Sequence, residues 1–130
     1  MTSPHINPVR VLIVDDVTQV RQDLRTLLTL AGEAQHEPAI EIVGEAADGL
    51  EAVSQALRLQ PEVILMDLEM PGMDGFLATR QIKLQRPACR VIALSVHAYD
   101  AARQKALQAG VDAFIVKGDP LEILLQAILE

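Results

Sequence analysis

The sequence holds 130 residues, 50% of them apolar and 22% charged, which is enough chain for one domain and far too apolar for a disordered tail. Cys89 is the single cysteine, so a disulfide framework and a multi-cysteine zinc site are excluded. The net charge of −7 argues against broad contact with nucleic acid, and two phenylalanines with one tyrosine cannot build base-stacking platforms or a flavin sandwich. No apolar run approaches the ~18 residues that span a membrane. Residues 1–8 show no basic-then-apolar signal pattern. We expect a cytoplasmic protein with a short tail over 1–8 and one domain over 9–130.

In chain order, the first apolar run is Val9-Arg10-Val11-Leu12-Ile13-Val14, nearly continuous as in a strand buried on both faces. Val17, Val20, Leu24, Leu27, Leu28 and Ala31 then follow helical spacing, with Gly32 as the expected C-terminal cap. Residues 32–39 read as an exposed loop. Ile40 to Gly44 alternates, which suits an edge strand. A second helix is predicted over 49–59, stopped by Pro61. Val63 to Met66 is the third strand, and Asp74 is placed to cap a helix over 75–85. Arg90 to Leu94 is the fourth strand. The helix over 98–109 has a mostly alanine inner side, so it should dock most weakly. Ala113 to Val116 is the fifth strand. The last helix is expected to open with Asp119 as its cap and Pro120 in its first turn. Five strands alternating with five helices predict an α/β domain, one open parallel sheet with helices on both faces.

In such sheets ligands bind outside the carboxyl ends of the strands. The first strand is followed there by Asp15 and Asp16, the third by Asp67, the fourth by Ser95 and the fifth by Lys117. The second is followed by Glu45, read as solvated at an edge. Singly, each has an ordinary explanation as a cap, turn or solvated residue. Together, after strands almost free of charge, they suggest one site. Three carboxylates at one rim repel and raise one another's pKa values. Mg2+ removes that penalty, because it prefers oxygen ligands and takes one or two carboxylates with a phosphate. A carboxylate there can attack phosphorus and form an acyl phosphate, while the cation and a lysine neutralise the transferring oxygens. Asp67 is the expected nucleophile, since Asp15 and Asp16 suit a shared metal and Asp67 stands alone before a Met70-Pro71-Gly72 turn.

The combination of Asp15-Asp16, the stretch Asp67-Leu68-Glu69-Met70-Pro71-Gly72-Met73-Asp74-Gly75, then Ser95 and Lys117 resembles the receiver domain of bacterial two-component response regulators, from about Val9 to Leu129. The resemblance implies a doubly wound, flavodoxin-like fold with strand order 2-1-3-4-5. It implies that Asp67 accepts a phosphoryl group from a sensor histidine kinase. It implies a Mg2+ site of Asp16, Asp67 and the backbone carbonyl of Glu69, with Asp15 acting through water. Ser95 and Phe114 would form the switch, Lys117 would pair with the phosphoryl group, and Glu69 and His97 would tune its lifetime. Such a domain catalyses only its own phosphorylation and dephosphorylation, and it can form a homodimer when phosphorylated.

The segments 44–49 and 117–119 resemble the branch that carries a LuxR-type helix-turn-helix output domain. Contact with nucleic acid would then run through a segment outside these residues. A piece of a transcription factor is favoured over a stand-alone receiver. Three positions depart from the family pattern: Phe114 lacks a tyrosine hydroxyl, Gly118 replaces a cis-forming proline, and Val96 is larger than usual and could narrow access to the site. Val96 and Gly118 keep open a degenerate receiver that acts only through contacts, although the intact acidic set argues against it.

Two other functions fit poorly. A haloacid-dehalogenase-type phosphatase needs an Asp two residues after its nucleophile, where this chain has Glu69. A flavodoxin-like electron carrier needs a hydroxyl- and glycine-rich loop where Asp15-Asp16 stand. His5 and His36 read as surface residues, Cys89 as a small packed residue, and Phe76 and Tyr99 as packing or surface residues at helix starts.

Overall fold

A computed structural model of the chain describes residues 7–34, 39–70, 72–98 and 100–130. Among these residues strands and helices alternate along the chain: β1 (Val9–Val14), α1 (Thr18–Ala34), β2 (Ile40–Ala46), α2 (Gly49–Leu59), β3 (Val63–Asp67), α3 (Gly75–Gln85), β4 (Arg90–Ser95), α4 (Asp100–Ala109), β5 (Ala113–Val116) and α5 (Leu121–Leu129). All pairings are parallel, in the order β2-β1-β3-β4-β5. The chain reverses its direction of travel between β1 and β3, so a crevice opens at their carboxyl ends.

The two-residue period of the strands sorts their side chains between two cores. Leu12, Val14, Ile64, Met66, Val91 and Ala93 pack with Ala52, Ala56, Ala78 and Ile82 of α2 and α3. Val11, Ile13, Val63, Leu65, Ile92 and Leu94 pack with Leu28 of α1 and Leu124, Leu125 and Ile128 of α5. A continuous apolar run is what burial on both faces demands. The helices dock unequally, as expected: α4 buries only Ala106 and Ala109, whereas α5 buries two leucines and an isoleucine. Two arginines tie helix ends to the amino ends of the inner strands β1 and β4. Arg10 donates to the carbonyls of Leu59 and Gln60, and Arg90 to those of Ala127 and Ile128, which satisfies carbonyls that have no partner inside their helices.

Local expectations fail in four places. Gly32 is not a cap: α1 continues through it to Ala34. A β-carbon at Gly32 would lie 2.9 Å from the backbone nitrogen of Ile40, so the glycine lets β2 approach the helix. The expected loop over 32–39 therefore gives its first three residues to α1, and 35–38 lie outside the described residues, as do His5, His36, Pro71 and Tyr99. The apolar stripe of α1 is narrower than its spacing suggests, with Leu28 fully buried but Leu27 48% exposed, and Val17, equally exposed, falls just before the helix. Last, Pro120 rather than Asp119 is the N-cap of α5, because the Asp119 carboxylate accepts the Val116 N–H at 3.2 Å. Other boundaries shift slightly: β2 runs on to Ala46 and α4 begins at Asp100 rather than 98. The helices over 49–59 and 75–85 stand as expected, Asp74 capping the latter through the Leu77 N–H.

Candidate functional site

β1, β3 and β5 bring Asp15, Asp16, Asp67 and Lys117 to one rim. One carboxylate oxygen from each of the three aspartates lies within 4.8 Å of the others. The Lys117 ammonium bridges two of them, 3.2 Å from Asp15 Oδ2 and 3.4 Å from Asp67 Oδ1. Backbone bonds set these positions. The Asp15 N–H donates to the Ala46 carbonyl, the Leu68 N–H to Leu94, and the Lys117 N–H to Ser95. Each functional residue is thus placed by the ladder to its neighbouring strand.

Asp15 and Asp67 are almost fully buried, and Asp16 is exposed. Burial pushes the Asp67 carboxyl up to about 7; the Glu69 N–H and Lys117 oppose the rise, and Asp15 adds to it. The repulsion expected from the sequence is present through Asp15, and burial is the larger cause. Burial pulls the Lys117 ammonium down, but Asp67 and Asp15 outweigh it, and the net shift is upward. A hard oxygen donor set with two buried members and one open to solvent fits a small divalent cation that keeps some of its water.

The remaining expected residues divide. Glu69 donates its N–H to Asp67 Oδ1 at 3.0 Å, which turns the acceptor loop back on its own side chain. Ser95 is fully buried, yet its hydroxyl is turned to Glu69 Oε1 at 2.6 Å rather than to Asp67, and it accepts the His97 N–H at 3.0 Å. His97 Nε2 lies 3.8 Å from the same Glu69 oxygen. Phe114 is half-buried beside the core, with the Arg103 guanidinium carbon 5.0 Å from its ring centre. Phe76 carries the Lys105 ammonium at 4.3 Å. Val96 is 60% exposed, and Cys89 is buried as expected.

Glu45 is not simply solvated. Arg21 and Arg25, one turn apart on α1, hold its two oxygens at 3.0 and 2.8 Å. Arg21 also donates to the Asp15 carbonyl at 2.7 Å, so it fastens the first acidic loop to β2. The sequence reading missed this clamp. Its only sign was a pair of arginines four apart, which is ordinary on an exposed helix face.

Gly75 explains the shape of the loop after Asp67. A β-carbon there would stand 2.3 Å from the Asp67 carbonyl oxygen and 2.8 Å from Leu68 Cα. These are backbone atoms that cannot rotate away. Gly75→Ala should cost about 1–3 kcal/mol, the range for overpacking, and should displace Asp67. Denaturant melts read the first effect and Mg2+ affinity the second; an unchanged melt would mean that the loop yields freely.

The family model described as response regulator receiver domain matches residues 11–129. A protein-glutamate methylesterase/protein-glutamine glutaminase of Alkalilimnicola ehrlichii is 45% identical over 111 residues, 84% of this chain but 27% of that protein. The response regulator protein VraR of Staphylococcus aureus is 39% identical over 120 residues, 92% of this chain and 54% of that protein. Among solved structures, a LuxR-family two-component response regulator from Aurantimonas superposes with a TM-score of 0.81 at 34% identity, covering 94% of this chain and 85% of that one. The chain spans about a quarter of one curated relative and just over half of the other, and these bear different names over a shared segment. Among the described residues no helix is long and apolar enough to cross a membrane.

Proposed function

The chain belongs to the response regulator receiver domain family, whose members signal through a phosphorylatable aspartate, and from that premise we propose that Asp67 is its phosphoryl acceptor. The observation that carries the reading is the Lys117 ammonium lying between Asp15 and Asp67 with Asp16 alongside. A solvated edge cluster would have no reason to bury two carboxylates against one lysine.

An Asp67 carboxylate oxygen attacks the phosphorus of a phosphohistidine on a sensor kinase. The new O–P bond forms as the N–P bond breaks, and the imidazole leaves. Lys117 turns to the transferring oxygens and offsets their charge. Asp15, Asp16 and Asp67, with the Glu69 carbonyl, would hold Mg2+. Bound there, the cation supplies charge neutralisation for the acidic rim and for the phosphoryl oxygens. The Ser95 hydroxyl then donates to a phosphoryl oxygen, and Phe114 moves with it. Glu69 and His97, at the rim beside Asp67, set how long the acyl phosphate lasts.

The domain occupies 9–130, behind a tail over 1–8, and turns over no external substrate. It works in the cytoplasm with a sensor histidine kinase and pairs with a second copy when phosphorylated. Similarity to a LuxR-family regulator supports transcription as the output, exerted through a DNA-binding segment outside these 130 residues.

Incubation with acetyl phosphate and Mg2+ should add one phosphoryl group per chain by intact mass, and hydroxylamine, which cleaves acyl phosphates, should remove it. Continuous hydrolysis of p-nitrophenyl phosphate without a stable adduct would instead mark a phosphatase. Ser95→Ala should still accept the group but show a much smaller change in the Phe114 ring resonances; an undiminished change would remove Ser95 from the switch.

A further inference from the structure

Ser95 has one hydroxyl proton to give. The receiver reading above sends that proton to a phosphoryl oxygen on Asp67. In the structure it is already committed to Glu69 Oε1 at 2.6 Å, and the side chain is fully buried. A bond this short to a carboxylate is of the strong, charge-assisted kind. The His97 N–H, 3.0 Å from Ser95 Oγ, fixes the hydroxyl from the other side. Glu69 is tied to the acceptor itself through its N–H on Asp67 Oδ1.

We propose that Glu69 is a positioning residue that latches the Ser95 hydroxyl away from Asp67 in the resting protein, so that a phosphoryl group must win the proton from Glu69 before the switch can move. This rests on the receiver reading and goes beyond it, since it makes one carboxylate the direct competitor of the phosphoryl oxygens. A phosphoryl group adds negative charge next to Glu69, which favours outward movement of the carboxylate. The way out exists: the Glu69 side chain is 37% exposed and borders a groove lined by Phe76, His97 and Lys105, where the lysine offers a cation. Filling the acceptor site and opening the latch are then one electrostatic event.

The test is a double-mutant cycle on the full chain, with beryllium fluoride plus Mg2+ as the phosphoryl mimic and amide resonances around Ser95 and Phe114 as the readout. Glu69→Ala should bind the mimic about tenfold more tightly than wild type, the scale of one competing hydrogen bond. Glu69→Gln, which keeps an acceptor oxygen but loses the charge, should fall between them. In a Ser95→Ala background, Glu69→Ala should tighten binding several-fold less, since only the charge repulsion is then relieved. Equal tightening in both backgrounds would mean that Glu69 acts by charge alone, and would overturn the latch. Failure of the wild-type protein to bind the mimic at all would instead overturn the receiver reading on which it rests.

Discussion

The Asp67→Asn protein should take up no phosphoryl group from acetyl phosphate and Mg2+, and without metal it should be more stable than wild type above pH 7. The first effect follows from chemistry, since an amide is too poor a nucleophile to form the acyl phosphate. The second follows from burial, which lifts the Asp67 carboxyl from its ordinary 3.8 to about 7. The folded protein therefore keeps a proton that the unfolded chain has released. The associated stability is fully present below about pH 3.8, is lost as pH rises towards 7, and stays lost above it. A carboxyl raised this far corresponds to on the order of a few kcal/mol. An asparagine carries no charge to desolvate, so the advantage of the variant should grow from about pH 4 to about pH 7 and then level off. Urea melts of both proteins in EDTA across that range measure it, and a difference that ignores pH would refute this origin. Added Mg2+ should stabilise the wild type by mass action and narrow the gap, because the cation repays the buried charge.

Lys117→Ala should separate two quantities that a structural role would move together. The ammonium stands 3.2 and 3.4 Å from the oxygens of Asp15 and Asp67, so it competes with any cation for them. Its removal should tighten Mg2+ binding, measured by calorimetry. The same removal takes a positive charge from the transferring phosphoryl oxygens and should slow uptake from acetyl phosphate on the order of a hundredfold. Weaker metal binding accompanied by slower uptake would show that Lys117 merely holds the loops in shape.

Much of this site was legible from the residues because parallel strands buried on both faces tolerate no charge in their interiors. Asp15, Asp16, Asp67, Ser95 and Lys117 stood out as the first polar residues after such runs. The strand order that makes those ends converge was not readable from the pattern; the family resemblance implied it, and the structure has it. The helices over 49–59 and 75–85 were legible too, because their starts and stops are local chemistry.

Other features had no local sign. Gly32 looks like a helix cap, and only the approach of Ile40 makes it a packing residue. Asp119 and Pro120 read in sequence as cap and first turn, but the Val116 N–H claims the aspartate. Arg21 and Glu45 are 24 positions apart, and nothing along the chain says that they meet. The raised pKa of Asp67 is of the same kind, since burial is a property of the packed interior.

By itself, then, the chain's alternation of apolar runs and amphipathic stretches determined five strands, five helices and which residues sit at the rim, since period and polarity are properties of neighbours in sequence. The tertiary structure decided where each side chain at that rim points: Lys117 between two carboxylates, and Ser95 turned to Glu69. Hydrogen-bond partners are chosen among groups close in space, and residues far apart in the chain become close only when the sheet is assembled.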